Sequence, residues 1–186
     1  MFFQRTGDAS TSTRSVAHQW LRARRLTLFL VSVTLIVLVL SAPGSLHDAV
    51  DRGWIYLFSR DFIQDIPRRI SGPGRFRFIL QPLIAVILGI RGGRTDAVEG
   101  RPPYLFGILF HPELRKGLLR SGLETVINLI LMGILMDAVF QRIILGVSHP
   151  GAALVIGPVL ILAPYSIARA LTNRFSRIGK TIKPAG

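Results

Sequence analysis

This chain has no cysteine, and only ten of its 186 residues are acidic against twenty-three lysines and arginines. The first absence excludes disulfides, thiolate metal sites and cysteine nucleophiles. The second leaves a formal net charge of +13. Charge of either sign is sparse, at 18% of residues, below the roughly 25% usual in soluble domains. Familiar catalytic motifs are missing as well: there is no HExxH, Walker loop or GxSxG. Gly89-Ile-Arg-Gly-Gly-Arg94 resembles a phosphate nest only loosely, since no strand and helix flank it. The histidines His18, His47, His111 and His149 are isolated. Two of them, His111 and His149, precede proline and read as a helix start or turn rather than metal ligands. No cofactor is expected.

What the chain does have is long apolar runs. Leu26 to Ala42 (LTLFLVSVTLIVLVLSA) holds no charge and reaches about 26 Å as a helix, close to a hydrocarbon core of about 30 Å. Trp20-Leu-Arg-Ala-Arg-Arg25 precedes it as an aromatic and basic collar, the pattern of a cytoplasmic helix end. A cleavable signal peptide is the rival reading. The basic region and the apolar run are both long for one, and Leu40 and Pro43 suit no cut after Ala42. A retained helix is expected, after a disordered cytoplasmic tail over 1–20.

Three further runs follow. Phe78 to Ile90 is bracketed by Arg75, Arg77 and Arg91; it is short for a span unless the arginine stems snorkel, and a re-entrant segment is the alternative. The third begins at His111-Pro112-Glu113, where proline and an acid favour a helix start, and reads as helix to about Gly146. The fourth is Ala152 to Ala168, interrupted by Pro158 and Pro164. The expected fold is an all-α integral membrane protein. Its single domain over 21–186 is a bundle of about four transmembrane helices, spanning about 26–42, 75–91, 122–145 and 152–168. A re-entrant second run would make it three. Between the first two spans, 51–66 reads as an interfacial amphipathic segment with Trp54, Tyr56 and Phe58 dipping inward. The segment Asp96 to Pro103 reads as a polar loop.

Arginines cluster on the N-terminal tail, between the second and third runs, and after the fourth. Four crossings put all three clusters on one side, so both termini are expected in the cytoplasm and the chain in a bacterial inner membrane. Arginines between the first two runs weaken that assignment. Because the basic residues collect at the ends of apolar runs, nucleic acid is not an expected partner.

Glu124, Asn128, Asp137, Gln141 and Arg142 all fall on the long third helix. Polar groups at membrane depth are functional candidates by default, and Glu124, Asn128, Asp137 and Arg142 are the residues singled out. Thirteen residues separate the two acids, about 20 Å along the axis and about 140° around it, so they form no dyad on one face. Arg120 is expected to neutralise Glu124, and Asp137 to meet Gln141 or Arg142. Arg22, Arg24, Arg25, Arg169, Arg174, Arg177 and Lys180 are the expected contacts to anionic lipid, with 170–183 lying along the inner surface. The expected role is a non-enzymatic accessory or assembly component of a larger membrane complex. Its partners would be membrane lipids and other membrane-protein subunits, or copies of itself. The alternatives are an ion- or proton-coupled transporter or channel using the third-helix acids, and a membrane-embedded enzyme acting on lipid.

Overall fold

A computed structural model describes the backbone of residues 7–181 and the side chains of 24–178. Its elements in chain order are α1 (Gly7–Arg52), a 3-10 turn over Tyr56–Phe58, α2 (Arg60–Gln64), α3 (Ile66–Ser71), α4 (Arg77–Val98), α5 (Tyr104–Phe110), α6 (Pro112–Leu145) and α7 (Pro150–Thr181). No strand occurs among the described residues. Four helices are long and apolar enough to cross a membrane: α4, α6, and the parts of α1 and α7 over Arg24–Arg52 and Pro150–Ile178. They run up and down, which gives the bundle two ends. The loop end carries residues 53–76 and 146–149, and the tail end carries 99–111 and the last turns of α7.

Sequence signals set the boundaries. Proline in the first turn and Glu113 beside it start α6, where the missing N–H costs nothing and the acid meets the positive end of the helix dipole. Gly146 ends α6 at φ +76, a left-handed cap that a side chain would strain. Helix α4 is continuous through Pro82 to Val98, longer than the apolar run that announces it. A re-entrant break does not occur. Part of the expected polar loop over 96–103 is therefore helix. Helix α1 starts at Gly7, inside the stretch read as a disordered tail, and continues ten residues beyond Ala42. Residues 170–181 are the end of α7 rather than a separate surface segment.

Helices α4 and α7 form the most extensive interface. Ala85, Gly89, Gly93 and Ala97 follow one another every four residues and make one buried stripe on α4. Opposite them, Ile161, Tyr165, Arg169 and Asn173 repeat the spacing on α7. The glycines let the backbones touch: a Cβ at Gly89 would fall 2.5 Å from the Tyr165 carbonyl oxygen. Helix α6 completes the core with Val126, Ile130 and Ile134. Helix α1 is attached more lightly, with Leu30 and Thr34 as its buried side chains among those described. Its Thr27 donates to Asn128 Oδ1 at 2.8 Å, and its Thr34 to the Leu131 carbonyl at 3.5 Å. Helix α5 lies across α6 and α7 at the tail end, burying Tyr104 and Gly107 while Leu105, Phe106, Leu109 and Phe110 stay exposed.

Candidate functional site

Polar chemistry concentrates in two buried centres, one at each end of the bundle. Arg77 and Asp96, one in each centre, are nineteen residues apart on α4, about 28 Å along its axis.

At the loop end, Asp137 of α6 is fully buried between two arginines that are nearly as buried. Arg69 of α3 donates through Nη1 to both carboxylate oxygens, at 3.2 and 3.1 Å. Arg77, at the start of α4, donates through Nη2 to Oδ1. Gln141, one turn on in α6, donates to Oδ2 at 2.5 Å, and its own carbonyl accepts the His149 backbone N–H at 2.8 Å. The centre then spreads outward. Arg69 Nη2 donates to the Tyr56 hydroxyl at 3.2 Å, and that hydroxyl donates to Asp65 at 2.8 Å. Tyr56 donates as the neutral phenol, and burial moves it further from ionisation by pushing it up to about 12. The Tyr56 ring stacks on His149 with centroids 3.8 Å apart and planes within 11°. Both Arg69 Nε and Arg77 Nε are buried without a partner. Donors therefore outnumber acceptors here.

Ser45, His149 and Asp48 have the order of an acyl-transfer triad but not its geometry. Ser45 Oγ lies 3.4 Å from Nδ1 and the Asp48 carboxylate 3.9 Å from Nε2. Ser45 and Asp48 also sit inside α1, where the neighbouring backbone N–H groups are engaged in the helix and none is left to hold an oxyanion. Burial lowers the His149 imidazole below its ordinary range, against an upward pull from Asp48. It is a neutral, packed ring.

At the tail end, Arg169 of α7 forms a two-pronged pair with Asp96 of α4. Nε meets Oδ2 at 2.6 Å and Nη2 meets Oδ1 at 2.9 Å. Its Nη1 donates to Tyr165 at 2.8 Å and Nη2 to Ser121 at 3.2 Å. The guanidinium also lies 4.4 Å from the centroid of the Tyr104 ring. Burial raises the Tyr104 phenol, so the ring faces the cation uncharged. Gly122 of α6 makes room for that ring, because a Cβ there would overlap the Tyr104 hydroxyl. Arg101 approaches Asp96 more loosely, at 3.7 Å.

Only some of the sequence-selected residues belong to these centres. Asp137 and Gln141 do, as expected, but the cations on Asp137 are Arg69 and Arg77. Arg142 is exposed and donates instead to the Gly146 carbonyl. Glu124 is exposed and paired with Arg120 at 2.8 Å, as the four-residue spacing implied. Asn128 accepts from Thr27. Arg169 is a correction: it is not a lipid contact, because its guanidinium is consumed by Asp96 and Tyr165 inside the bundle. Arg24, Arg25 and Arg174 are exposed, while Arg177 is half-buried and donates to the Arg101 carbonyl. The side chains of Arg22 and Lys180 lie outside the described residues. Tyr56 is buried beneath His149, whereas Trp54 and Phe58 are exposed.

Sequence reasoning missed Arg69, Arg77, Asp96 and the roles of Tyr104 and Tyr165. A signal existed for Asp96 and for the inward face of Arg169. Arg169 continues the four-residue row of Gly157, Ile161 and Tyr165, and Asp96 falls three residues after Gly93. Among the described residues, no three His, Asp or Glu side chains gather as a metal site. Family models, curated proteins and solved structures offer no match to this chain. Its chemistry has to be read from its own residues.

Proposed function

We propose that this chain is a four-span bacterial inner-membrane protein with cytoplasmic termini, and that it serves without catalysis as an accessory or assembly component of a larger membrane complex. The observation that carries this reading is the separation of the two centres by an apolar core of Ala85, Val126, Ile130, Ile134 and Ile161. Each buried carboxylate is held by arginine. Among the described residues, no row of titratable groups leads from one to the other, as a proton or ion relay requires. Closed ion pairs at both ends suit a rigid scaffold. The Arg24–Arg52 part of α1, apolar and with most of its side chains turned outward, offers the surface for lipid or for a partner span.

The arginines of the loop end bear on orientation. Arg52 is paired with Asp48 and Asp61, Arg68 with Asp65, and Arg69 and Arg77 with Asp137. The positive-inside rule gives these aspartates little weight, so the assignment rests on the larger set of arginines and lysines at the tail end. Both termini and the turn around Glu99 then face the cytoplasm.

Purification in mild detergent tests the role. A stoichiometric complex with other membrane subunits is expected. A homo-oligomer alone that conducts ions in liposomes would overturn it in favour of transport. Reporter fusions at Glu99 and Gly186 test the topology and should be active only with a cytoplasmic reporter. A periplasmic signal at Gly186 would remove one crossing.

A further inference from the structure

Near the loop end, α1 and α6 part to leave a groove of about 540 Å³. Its walls are apolar: Val37 and Leu40 of α1, Val139 and Ile143 of α6, and Val147 beyond. Gly44 opens it further, since a Cβ there would meet only Val147, at 4.0 Å. Three polar residues complete the lining, and Ser41 spends its hydroxyl on the Val37 carbonyl of its own helix. Ser148 is buried with its hydroxyl unpartnered. Arg142 is exposed, with one hydrogen bond to the Gly146 carbonyl and further guanidinium N–H groups to offer.

From this lining we infer that the groove is a binding site for one anionic glycerophospholipid. An acyl chain lies along the apolar walls, and the phosphate meets the exposed guanidinium of Arg142. A partner helix does not suit the space. The groove is bracketed by two ties between its walls, Thr34 to the Leu131 carbonyl on one side and Ser45 to His149 on the other. The ties stand eleven residues apart on α1, about 16 Å; a flexible acyl chain fills the space between them, whereas a rigid helix would lie across the opening and leave it unfilled. A zwitterionic headgroup sets its own ammonium beside the phosphate that Arg142 would engage. An anionic headgroup answers Arg142 with charge-assisted hydrogen bonds. The inference rests on the membrane reading above.

Native mass spectrometry of the detergent-purified chain tests it, with phosphatidylglycerol and phosphatidylcholine of identical acyl chains as probes. The wild type should retain one phosphatidylglycerol through a delipidating wash that strips phosphatidylcholine. Arg142→Gln should weaken that retention about tenfold, the loss of one charged hydrogen-bond partner. Gly44→Leu, which fills the groove, should abolish it. If Gly44→Leu fails to assemble, Val139→Phe fills the groove from α6 and carries the same expectation. Equal retention of both lipids by the wild type, or undiminished retention in Arg142→Gln and the groove-filling variant, would overturn the site. Failure of the membrane reading looks different. Alkaline carbonate would then release the chain from membranes, whereas failure of the groove alone leaves it membrane-resident with unselective lipid.

Discussion

The two buried centres solve the same electrostatic problem with different parts. At the tail end one arginine faces one aspartate in a two-pronged pair between the two longest-packed helices, α4 and α7. At the loop end two arginines share one aspartate, and one of them arrives on α3, a helix of six residues. The first is a rivet between rigid elements. The second is a clamp that holds a loop down onto the bundle. Taking a charge out of water costs several kcal/mol, recovered only where geometry and extra hydrogen bonds are good. The rivet meets that condition through Tyr165, Ser121 and the Tyr104 face. The clamp also sets aromatic rings against both of its guanidiniums, but Arg69 Nε and Arg77 Nε stay unpartnered.

That asymmetry ranks the consequences of removing each acid. Asp137→Asn leaves two buried guanidiniums without a counter-charge and should cost about 3–5 kcal/mol, the range for breaking a buried pair. Loss of monodisperse protein or a collapsed melting midpoint in detergent would register it. Asp96→Asn strands one guanidinium that keeps Tyr165 and two aromatic faces, so its loss should be smaller. If Asp96→Asn proves the more damaging, the ranking of rivet and clamp is reversed.

A second test touches only the rivet. Gly93 packs so closely on α7 that a Cβ would collide with the Arg169 carbonyl oxygen and approach Thr172 Cβ to 2.8 Å. Gly93→Val should push the helices apart and cost about 1–3 kcal/mol, the usual range for overpacking. A cross-link across Ser121 and Tyr165 should report the tail end opening while the loop end stays closed. Equal loosening at both ends would mean that the centres are mechanically one.

Of the two centres, only the clamp holds a histidine. His149 touches Tyr56 and is faced by Asp48 and Arg52 from α1 and by Arg69 and Asp65 from α3 and the turn before it. Its folded value lies below the ordinary 6.5 because burial disfavours the imidazolium. The unfolded chain therefore binds a proton first as pH falls. Stability from this group is complete above about pH 6.5 and declines as pH drops from there towards the folded value. Melting midpoints measured from pH 8 to pH 5 should fall more steeply in the wild type than in His149→Asn. Parallel curves would show that His149 adds nothing to the clamp's pH response.

Much of the architecture is legible before any coordinates. The four long apolar helices, the proline start and glycine end of α6, and the pairing of Arg120 with Glu124 follow from periodicity and local spacing. The centres themselves are harder to read. An arginine at the end of an apolar run has two physical fates: it can snorkel to a lipid headgroup or turn inward to an acid. Arg174 and Arg169 lie five residues apart on α7, yet one is exposed and the other buried. What separates them is the helix face, and the four-residue row through Tyr165 and Asn173 marks the inward one. For Arg69 no such row exists. It sits on a helix of six residues, and its partner lies sixty-eight positions away, a contact that only the assembled bundle defines.

The smallest expected effect lies outside both centres, and it sharpens what makes them centres. Glu124 has the same chemistry as Asp137 and sits on the same helix, and Arg120 engages it at 2.8 Å. Its side chain is exposed, as is its partner's, so little desolvation has been incurred and little Coulomb energy is gained in return. Glu124→Gln should therefore leave the melting midpoint and the oligomeric state where they are, at low salt and high salt alike. A transporter that used Glu124 to carry charge would behave differently: the same substitution would leave stability untouched yet abolish uptake in liposomes. A large loss of stability would show that Glu124 is covered by something absent from the isolated chain. In that case the outward face of α6 is an interface, and burial in the single chain no longer separates the acids that hold the bundle from those that do not.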